Sequence, residues 1–425
     1  MTILVLTVGG SHQPLVTAIQ SVKPDRVVFL CSEDASTGKG SYAQVVGGGQ
    51  VIKSDPKLEK PDLPNITTQT DLLADRYEVL KIQNFDSLQD CYYVAHGVLE
   101  RLRRENPDTK IVADYTGGTK SMTAGLALAA VDDGSCDINL VTGTRSNLDK
   151  VRNRTEFARP VMVWDLRGHR KLEEVRFRLS RYDYAGAADL LTTMGSMPIS
   201  ETFFQKITAG ISVCRGLDAW DRFNHNEAKT LLEPYRKYLV QESIVLDDLC
   251  REQSRDPYVH VEDLLLNAER RAVQGRYDDA VARIYRAMEL IAQVRLRKTY
   301  GINTADVDLE KLPTQARESL VRYRSDDGII QLPLFAAWIL LSTIVNDPLG
   351  IWFEANKASV QDFLGSRNFS ILAHGDKPID EAIYRSKGMA GVLLCRDALK
   401  TIMDRGRMAS LSQLPNHLSV LDFSA

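Results

Sequence analysis

An arginine and a histidine, Arg367 and His374, stand near the C-terminal end of the chain with six residues between them. Asn368 follows the arginine, and the rest of the segment is mostly apolar. A charged side chain in apolar company is costly unless it has a partner or a function. A guanidinium can hold a phosphate, and an imidazole can transfer protons near neutral pH. This stretch could therefore bind a phosphodiester and act on it.

The apolar residues around the pair predict a helix that runs through to Gly375. On a helix, a step of seven residues makes about two turns and about 10 Å of rise, so both side chains would share one face. Side chains lean toward the helix N-terminus, so Arg367 would lean away from His374. Two copies related by a twofold axis could bring the arginine of one near the histidine of the other. We therefore expect a homodimer with a composite site. In an alternative interpretation, Arg367 pairs with a buried carboxylate and His374 caps the helix.

Two glycine-containing loops near the start of the chain offer a second kind of chemistry. Each follows a predicted strand, and open α/β sheets bind ligands at the carboxyl ends of their strands. Glycines allow close backbone approach, and a following helix N-terminus offers free N–H groups to an anion. The second loop therefore predicts a phosphate site, unless its glycines only make a tight turn. Neither loop has the spacing of a Walker A or dinucleotide-binding motif. The two loops are Gly9-Gly10-Ser11-His12 and Thr116-Gly117-Gly118-Thr119-Lys120.

The composition is that of a globular protein with two or three domains in 425 residues. A net charge of -3 argues against a sequence-blind nucleic-acid coat. The six cysteines show no metal-ligand spacing, which favours a reducing, cytoplasmic location and no structural zinc. The most hydrophobic stretch, 330–345, is too short to span a bilayer, so no membrane partner is expected.

The elements that must position these residues fall into two classes. Strands predicted at 2–8, 26–31, 77–82, 110–115, 137–141 and 160–164 alternate with helices, which indicates a parallel, Rossmann-like α/β sheet. After residue 165 only helical periods remain, at 173–194, 201–219, 226–249, 261–299, 332–344 and 388–403. We predict an α/β domain over 1–168, a helical connecting region over 169–258 and an all-α domain over 259–425. The tail after Ser410 is expected to be loosely held.

The first half resembles the CARF domain, the CRISPR-associated Rossmann fold, through Thr7-Val8-Gly9-Gly10-Ser11-His12-Gln13-Pro14 and Asp114-Tyr115-Thr116-Gly117-Gly118-Thr119-Lys120-Ser121-Met122. The resemblance covers about residues 1–165. It implies a dimer that binds a cyclic oligoadenylate between two copies of these loops. Some members of the family also cleave the ring, and the sequence leaves this open. By this resemblance, the ring would contact Gly9, Gly10, Ser11, His12, Thr116, Gly117, Gly118, Thr119 and Lys120.

The second half resembles the HEPN nucleases, whose signature is an arginine and a histidine with four to six residues between them. Arg367-Asn368 and His374-Gly375 fit this signature, and the helix around 277–290 is similar to the first long HEPN helix. The resemblance implies cleavage of single-stranded RNA without a metal or other cofactor. The 2′-hydroxyl would attack its own phosphorus and leave a 2′,3′-cyclic phosphate. His374 would take part in proton transfer, Arg367 would hold the phosphate and Asn368 would position the scissile group.

Together the two resemblances indicate a CARF–HEPN ribonuclease of type III CRISPR systems that a cyclic oligoadenylate activates. One alternative is a ring sensor or ring nuclease whose HEPN-like part only dimerises. Another is a CARF-type transcriptional regulator that uses residues 170–260 to bind DNA. The absence of a clear β-wing pattern and of a strongly basic recognition helix counts against the regulator.

Overall fold

A computed structural model describes residues 1–34, 40–46, 64–142, 157–251, 256–312, 317–318, 320–368, 370–371, 375–402 and 411–419. The chain divides into two compact units, Met1–Arg170 and Lys171–Ala425.

The first unit is built on a six-stranded sheet in the order β3-β2-β1-β4-β5-β6. The first five strands pair in parallel, whereas β6 runs antiparallel to β5. The Rossmann-like α/β prediction is confirmed, but the prediction of a wholly parallel sheet is wrong at this edge. Strand β6 is half-exposed and carries a proline, as edge strands can. The expectation of parallel pairing, which comes from apolar runs buried on both faces of a sheet, therefore does not apply to it. The strands are β1 Thr2–Val8, β2 Arg26–Ser32, β3 Tyr77–Ile82, β4 Lys110–Asp114, β5 Asp137–Thr142 and β6 Phe157–Val161.

Helices cover both faces of this sheet, as the apolar strands require. Successive side chains of β1 point to opposite faces. Ile3 and Val5 pack in one core with α3 and α4, whereas Leu4 and Leu6 pack in the other with α1. The helices of this unit are α1 Gln13–Val22, α2 Ile66–Gln69, α3 Leu88–Glu105, α4 Lys120–Asp133 and the start of α5 Trp164–Ser180.

The second unit is helical throughout its described residues, apart from turns and two isolated β-bridges. None of the helices in the described part of the chain is long and apolar enough to cross a membrane. The helices are α6 Tyr184–Gly195, α7 Glu201–Asp221, α8 His225–Leu232, α9 Val240–Leu249, α10 Val259–Val273, α11 Tyr277–Tyr300, α12 Leu334–Thr343, α13 Pro348–Asn368, α14 Glu381–Ile383 and α15 Met389–Lys400.

Three of the long predicted helices are each two helices. The one predicted at 226–249 breaks between α8 and α9, at a 3₁₀ turn over Glu233–Tyr235. Of the other two, the first breaks between α5 and α6, where Tyr182 has a φ of 56°. The second breaks between α10 and α11, where Gly275 has a φ of 75°. A left-handed residue ends a helix, and the apolar period resumed after each break, so the pattern alone did not show the interruption.

The tail after Ser410 does not match its prediction, because residues 411–419 dock onto the unit. Leu414 and Leu418 are buried in a core formed with α5 to α9. The side chain of Gln413 accepts from Arg270 and donates to the carbonyl of Leu266 at 3.0 Å. The prediction of a loosely held tail is therefore wrong for these residues. A second core lies among α10 to α15.

Candidate functional site

The two predicted ligand loops begin at the same edge of the sheet. Strands β1 and β4 are parallel neighbours, with Leu6 paired to Asp114. The strand order reverses between them, since β2 and β3 lie on one side and β5 and β6 on the other. Ligands of open α/β sheets bind at such a switch point. The structure thus brings together the two groups of residues that the sequence proposed as one site.

The loops touch through their backbones, and only glycine fits at the contact. The buried hydroxyl of Thr7 donates to the carbonyl of Gly117. A Cβ atom on Gly9 would lie 2.5 Å from the nitrogen of Gly118, and one on Gly117 would lie 2.5 Å from the oxygen of Thr7. Gly118 itself has a φ of 100°, in the region that disfavours side chains. The glycines therefore set how closely the two loops approach.

A buried carboxylate holds the second loop from below. Asp114 is fully buried and accepts from the backbone nitrogen of Thr116 at 3.0 Å and from Nδ2 of Asn139 at 2.7 Å. Burial raises the pKa of Asp114, and these hydrogen bonds oppose that rise. The Thr116 hydroxyl oxygen accepts from the nitrogen of Val141 at 2.8 Å. Sequence reasoning missed Asn139, although a polar residue within an apolar strand was a usable signal.

Helix α4 begins at the end of the second loop. Thr119 caps it by accepting from the nitrogen of Met122 at 3.3 Å and donates its own hydrogen to the carbonyl of Phe85 at 2.6 Å. The hydroxyl of Thr119 therefore shapes the loop, while the first N–H groups of the helix have no partner within the helix by position. Lys120 is exposed beside them. This end of α4 can attract an anion through its N–H groups and through the lysine charge.

His12 lies under the first loop and is only 5% exposed. Its carbonyl accepts from Leu15 and Val16 at the start of α1. Neither ring nitrogen has a hydrogen-bond partner among the described residues. Burial lowers the pKa of His12, so the imidazole is neutral at physiological pH. A neutral ring offers one donor and one acceptor. Gly10 and Ser11 beside it are exposed.

The arginine of the second candidate site lies at the end of a helix. Helix α13 ends at Asn368, and the nitrogen of Ser370 donates to the carbonyl of Arg367 at 3.0 Å. Ser370 then forms a parallel bridge with Lys377. The prediction of a helix through to Gly375 is therefore wrong: backbone pairing with Lys377 replaces further helical turns. The geometric argument for a composite site depended on that helix and loses its basis. His374 lies outside the described residues.

The guanidinium of Arg367 rests against an aromatic ring. Its central carbon lies 4.5 Å from the ring centre of Tyr285 on α11. Among the described residues, no carboxylate forms an ion pair with Arg367, and its hydrogen bond to Oδ1 of Asn368 is long at 3.5 Å. The alternative of a buried carboxylate partner thus finds no support in the described part of the chain. The arginine charge is available to an anion, and sequence reasoning missed Tyr285.

These features define a doubly wound α/β domain with a candidate ligand site at two loops, followed by an all-helical domain that presents an arginine at a helix end. Residues 251–389 match the family described as "Csm6 HEPN domain". In overall structure the chain is similar to "Enterococcus italicus Csm6 bound to cyclic hexa-2'-fluoro-hexa-dAMP", with a TM-score of 0.59 and 13% identity, over 95% of this chain and 96% of that chain. A comparison with curated proteins gives no match. The predicted resemblance to the HEPN family is confirmed over residues 251–389, and the predicted order of an α/β domain and an all-α domain agrees with the fold of this solved structure.

Proposed function

We propose that the protein is an endoribonuclease of type III CRISPR antiviral defence that a cyclic oligoadenylate activates. The observation that carries the proposal is Arg367, which has no acidic partner among the described residues and lies within a segment that matches the Csm6 HEPN family. That segment also contains His374, Asn368 and the arginine-to-histidine spacing of the HEPN signature. The similar solved structure, which carries a cyclic hexanucleotide, supports the choice of activator.

The ring would bind at the two loops of the first unit. The N–H groups at the start of α4 and the charge of Lys120 suit phosphates, and the exposed Gly10, with open space beside it, would let the ring approach the backbone of the first loop. The neutral, buried His12 would pair with a polar group of the ring. In a homodimer, two copies of this site would face one ring, which has matching symmetry.

RNA would be cleaved at the second site by its own 2′-hydroxyl. Arg367 would hold the scissile phosphate and stabilise the charge that develops on its oxygens. His374 would transfer a proton to or from the reacting oxygens, and Asn368 would orient the phosphate. As the 2′-oxygen bonds to phosphorus, the P–O5′ bond breaks, which leaves a 2′,3′-cyclic phosphate on one product and a protonated 5′-hydroxyl on the other. The reaction requires no metal and takes place in the cytoplasm. The need for a 2′-hydroxyl makes single-stranded RNA, not DNA, the substrate.

A cleavage assay in EDTA tests this proposal. Single-stranded RNA is incubated with the protein alone, with cyclic tetra-adenylate and with cyclic hexa-adenylate. We expect one ring to stimulate cleavage strongly, and we expect His374→Ala to abolish it while ring binding persists. Absence of cleavage with either ring, or undiminished cleavage by His374→Ala, would favour the sensor or ring nuclease instead. The regulator alternative has no wing to use, because residues 171–251 form only helices and turns.

A further inference from the structure

Helix α11 supports the segment around Arg367 at two points. The ring of Tyr285 lies against the Arg367 guanidinium at 4.5 Å. Oδ2 of Asp278 accepts from the backbone nitrogen of Ile379 at 2.9 Å, just beyond the histidine of the motif. Asp278 and Tyr285 are seven residues apart, which places them on one face of the helix. One face of α11 thus contacts the chain on both sides of the motif.

Tyr285 is itself well fixed. It follows Ile284, which is fully buried, and its half-buried side chain packs against the core of α10 to α15. Its ring is therefore a rigid surface, whereas Arg367 is a long side chain in the last turn of α13 with many rotamers of similar energy. A planar guanidinium stacks on an aromatic face and is attracted to it. The contact selects the rotamers that lie on the ring.

The chemistry of this partner matters as much as its position. A carboxylate would hold the guanidinium but would neutralise its charge and compete with a phosphate for its N–H groups. The face of a tyrosine ring orients the group without taking up its N–H donors. Among the described residues, Arg367 has the ring and the long contact to Asn368, and no acidic partner. The arginine is thus oriented and still able to bind an anion.

We propose that Tyr285 is a positioning residue that holds the Arg367 guanidinium ready for the scissile phosphate of RNA. This inference rests on the proposed nuclease function. Tyr285 acts through Arg367 and through its ring face, so its hydroxyl is not required. The aromatic ring of Tyr285 lowers the barrier of the chemical step by presenting Arg367 in the orientation that the transition state needs.

The test compares Tyr285→Phe, which keeps the ring, with Tyr285→Leu, which removes it. With the activating ring present, we expect Tyr285→Phe to cleave RNA at the wild-type rate. We expect Tyr285→Leu to lower kcat by about five- to tenfold, as loss of one cation–π contact implies, with little change in KM. In the Arg367→Ala background, Tyr285→Leu should cause no further loss. Tyr323→Leu is the matched control, since it removes the stacking of Arg322 on a ring at 4.9 Å elsewhere in the same unit.

Three kinetic outcomes would overturn the role of Tyr285 while leaving the nuclease intact. These are wild-type kcat in Tyr285→Leu, an equal loss in Tyr285→Phe, or a further loss when Tyr285→Leu is added to Arg367→Ala. Melting temperatures of all variants separate a loss of positioning from a loss of folding. A rate loss that parallels a fall in melting temperature would also count against the positioning role of Tyr285. Failure of the proposed function looks different: the wild-type protein then cleaves no RNA, or Arg367→Ala cleaves as well as wild type, and the inference falls with it.

Discussion

The two candidate sites are built in opposite ways. In the first unit, the ligand loops are fixed by backbone contacts so close that glycine is required, and by hydrogen bonds that use the side chains of Asp114, Thr116 and Thr119. In the second unit, Arg367 lies at a helix end, and its main contact is the aromatic ring of Tyr285. The first arrangement preforms a binding surface. The second leaves the arginine charge without an acidic partner among the described residues and orients it by a cation–π contact, which suits the proposed role of binding a transition state.

Loss of the Arg367 side chain should have the largest effect of all, and it should affect the second site without affecting the first. We expect Arg367→Ala to lower the rate of RNA cleavage by about 10²- to 10³-fold, because one donor group to a developing oxyanion is removed. Ring binding in the first unit should not change. The cleavage assay and a ring titration measure the two effects separately. Arg322→Ala, which removes another arginine stacked on a tyrosine, serves as the control and should cleave normally.

A methyl group at the loop contact should weaken ring binding. Gly9→Ala places a Cβ at 2.5 Å from the nitrogen of Gly118, so the loops must separate. Overpacking of this kind costs about 1–3 kcal/mol, which corresponds to about five- to 150-fold in ring affinity. Gly97→Ala in α3 meets nothing within 4 Å and is the matched control. Equal ring affinity in Gly9→Ala and wild type, measured by calorimetry, would contradict the claim that the close contact between the two loops shapes the ring site.

The docked tail gives a prediction on stability alone. Gln413→Ala removes the acceptor for Arg270, which is fully buried, and the donor to Leu266. We expect the free energy of unfolding to fall by about 1–3 kcal/mol, because a buried charged donor loses a partner. The exposed neighbour Ser412 offers the control, since Ser412→Ala should change stability by less than about 0.5 kcal/mol. Identical denaturation curves for Gln413→Ala and wild type would show that the tail carries no such contact.

The smallest expected effect concerns pH and His12. Burial lowers the pKa of this imidazole below its usual value of about 6.5, so the unfolded chain binds the proton first. The free energy of unfolding should therefore fall as the pH drops below about 6.5, and this part of the fall should vanish in His12→Phe. Urea denaturation at pH 7.5 and pH 5 measures it. The same pH dependence in both proteins would exclude His12 as its source.

Sequence patterns predicted the local features, such as strands and glycine loops, and missed contacts between residues that are distant along the chain. The apolar runs of β1, β2 and β4 indicated the sheet, and the glycines after β1 and β4 indicated two loops that come close together, because strand burial and backbone approach depend on residue type. Asn139 left only one signal, a polar residue within an apolar strand, and Tyr285, which lies far from Arg367 along the chain, left none beside the motif. The end of α13 was missed for the same reason, since pairing with Lys377 overrides a helical pattern.

Activation curves test the central claim, that a ligand site in the first unit governs a catalytic site in the second. RNA cleavage is measured against ring concentration for wild type, Gly9→Ala and Arg367→Ala, and ring binding is measured in parallel. We predict that Gly9→Ala moves the midpoint to higher ring concentration and reaches the wild-type plateau. Arg367→Ala should lower the plateau without moving the midpoint of ring binding. Cleavage that responds to no ring, or a Gly9→Ala curve that matches wild type despite weaker ring binding, would contradict the account.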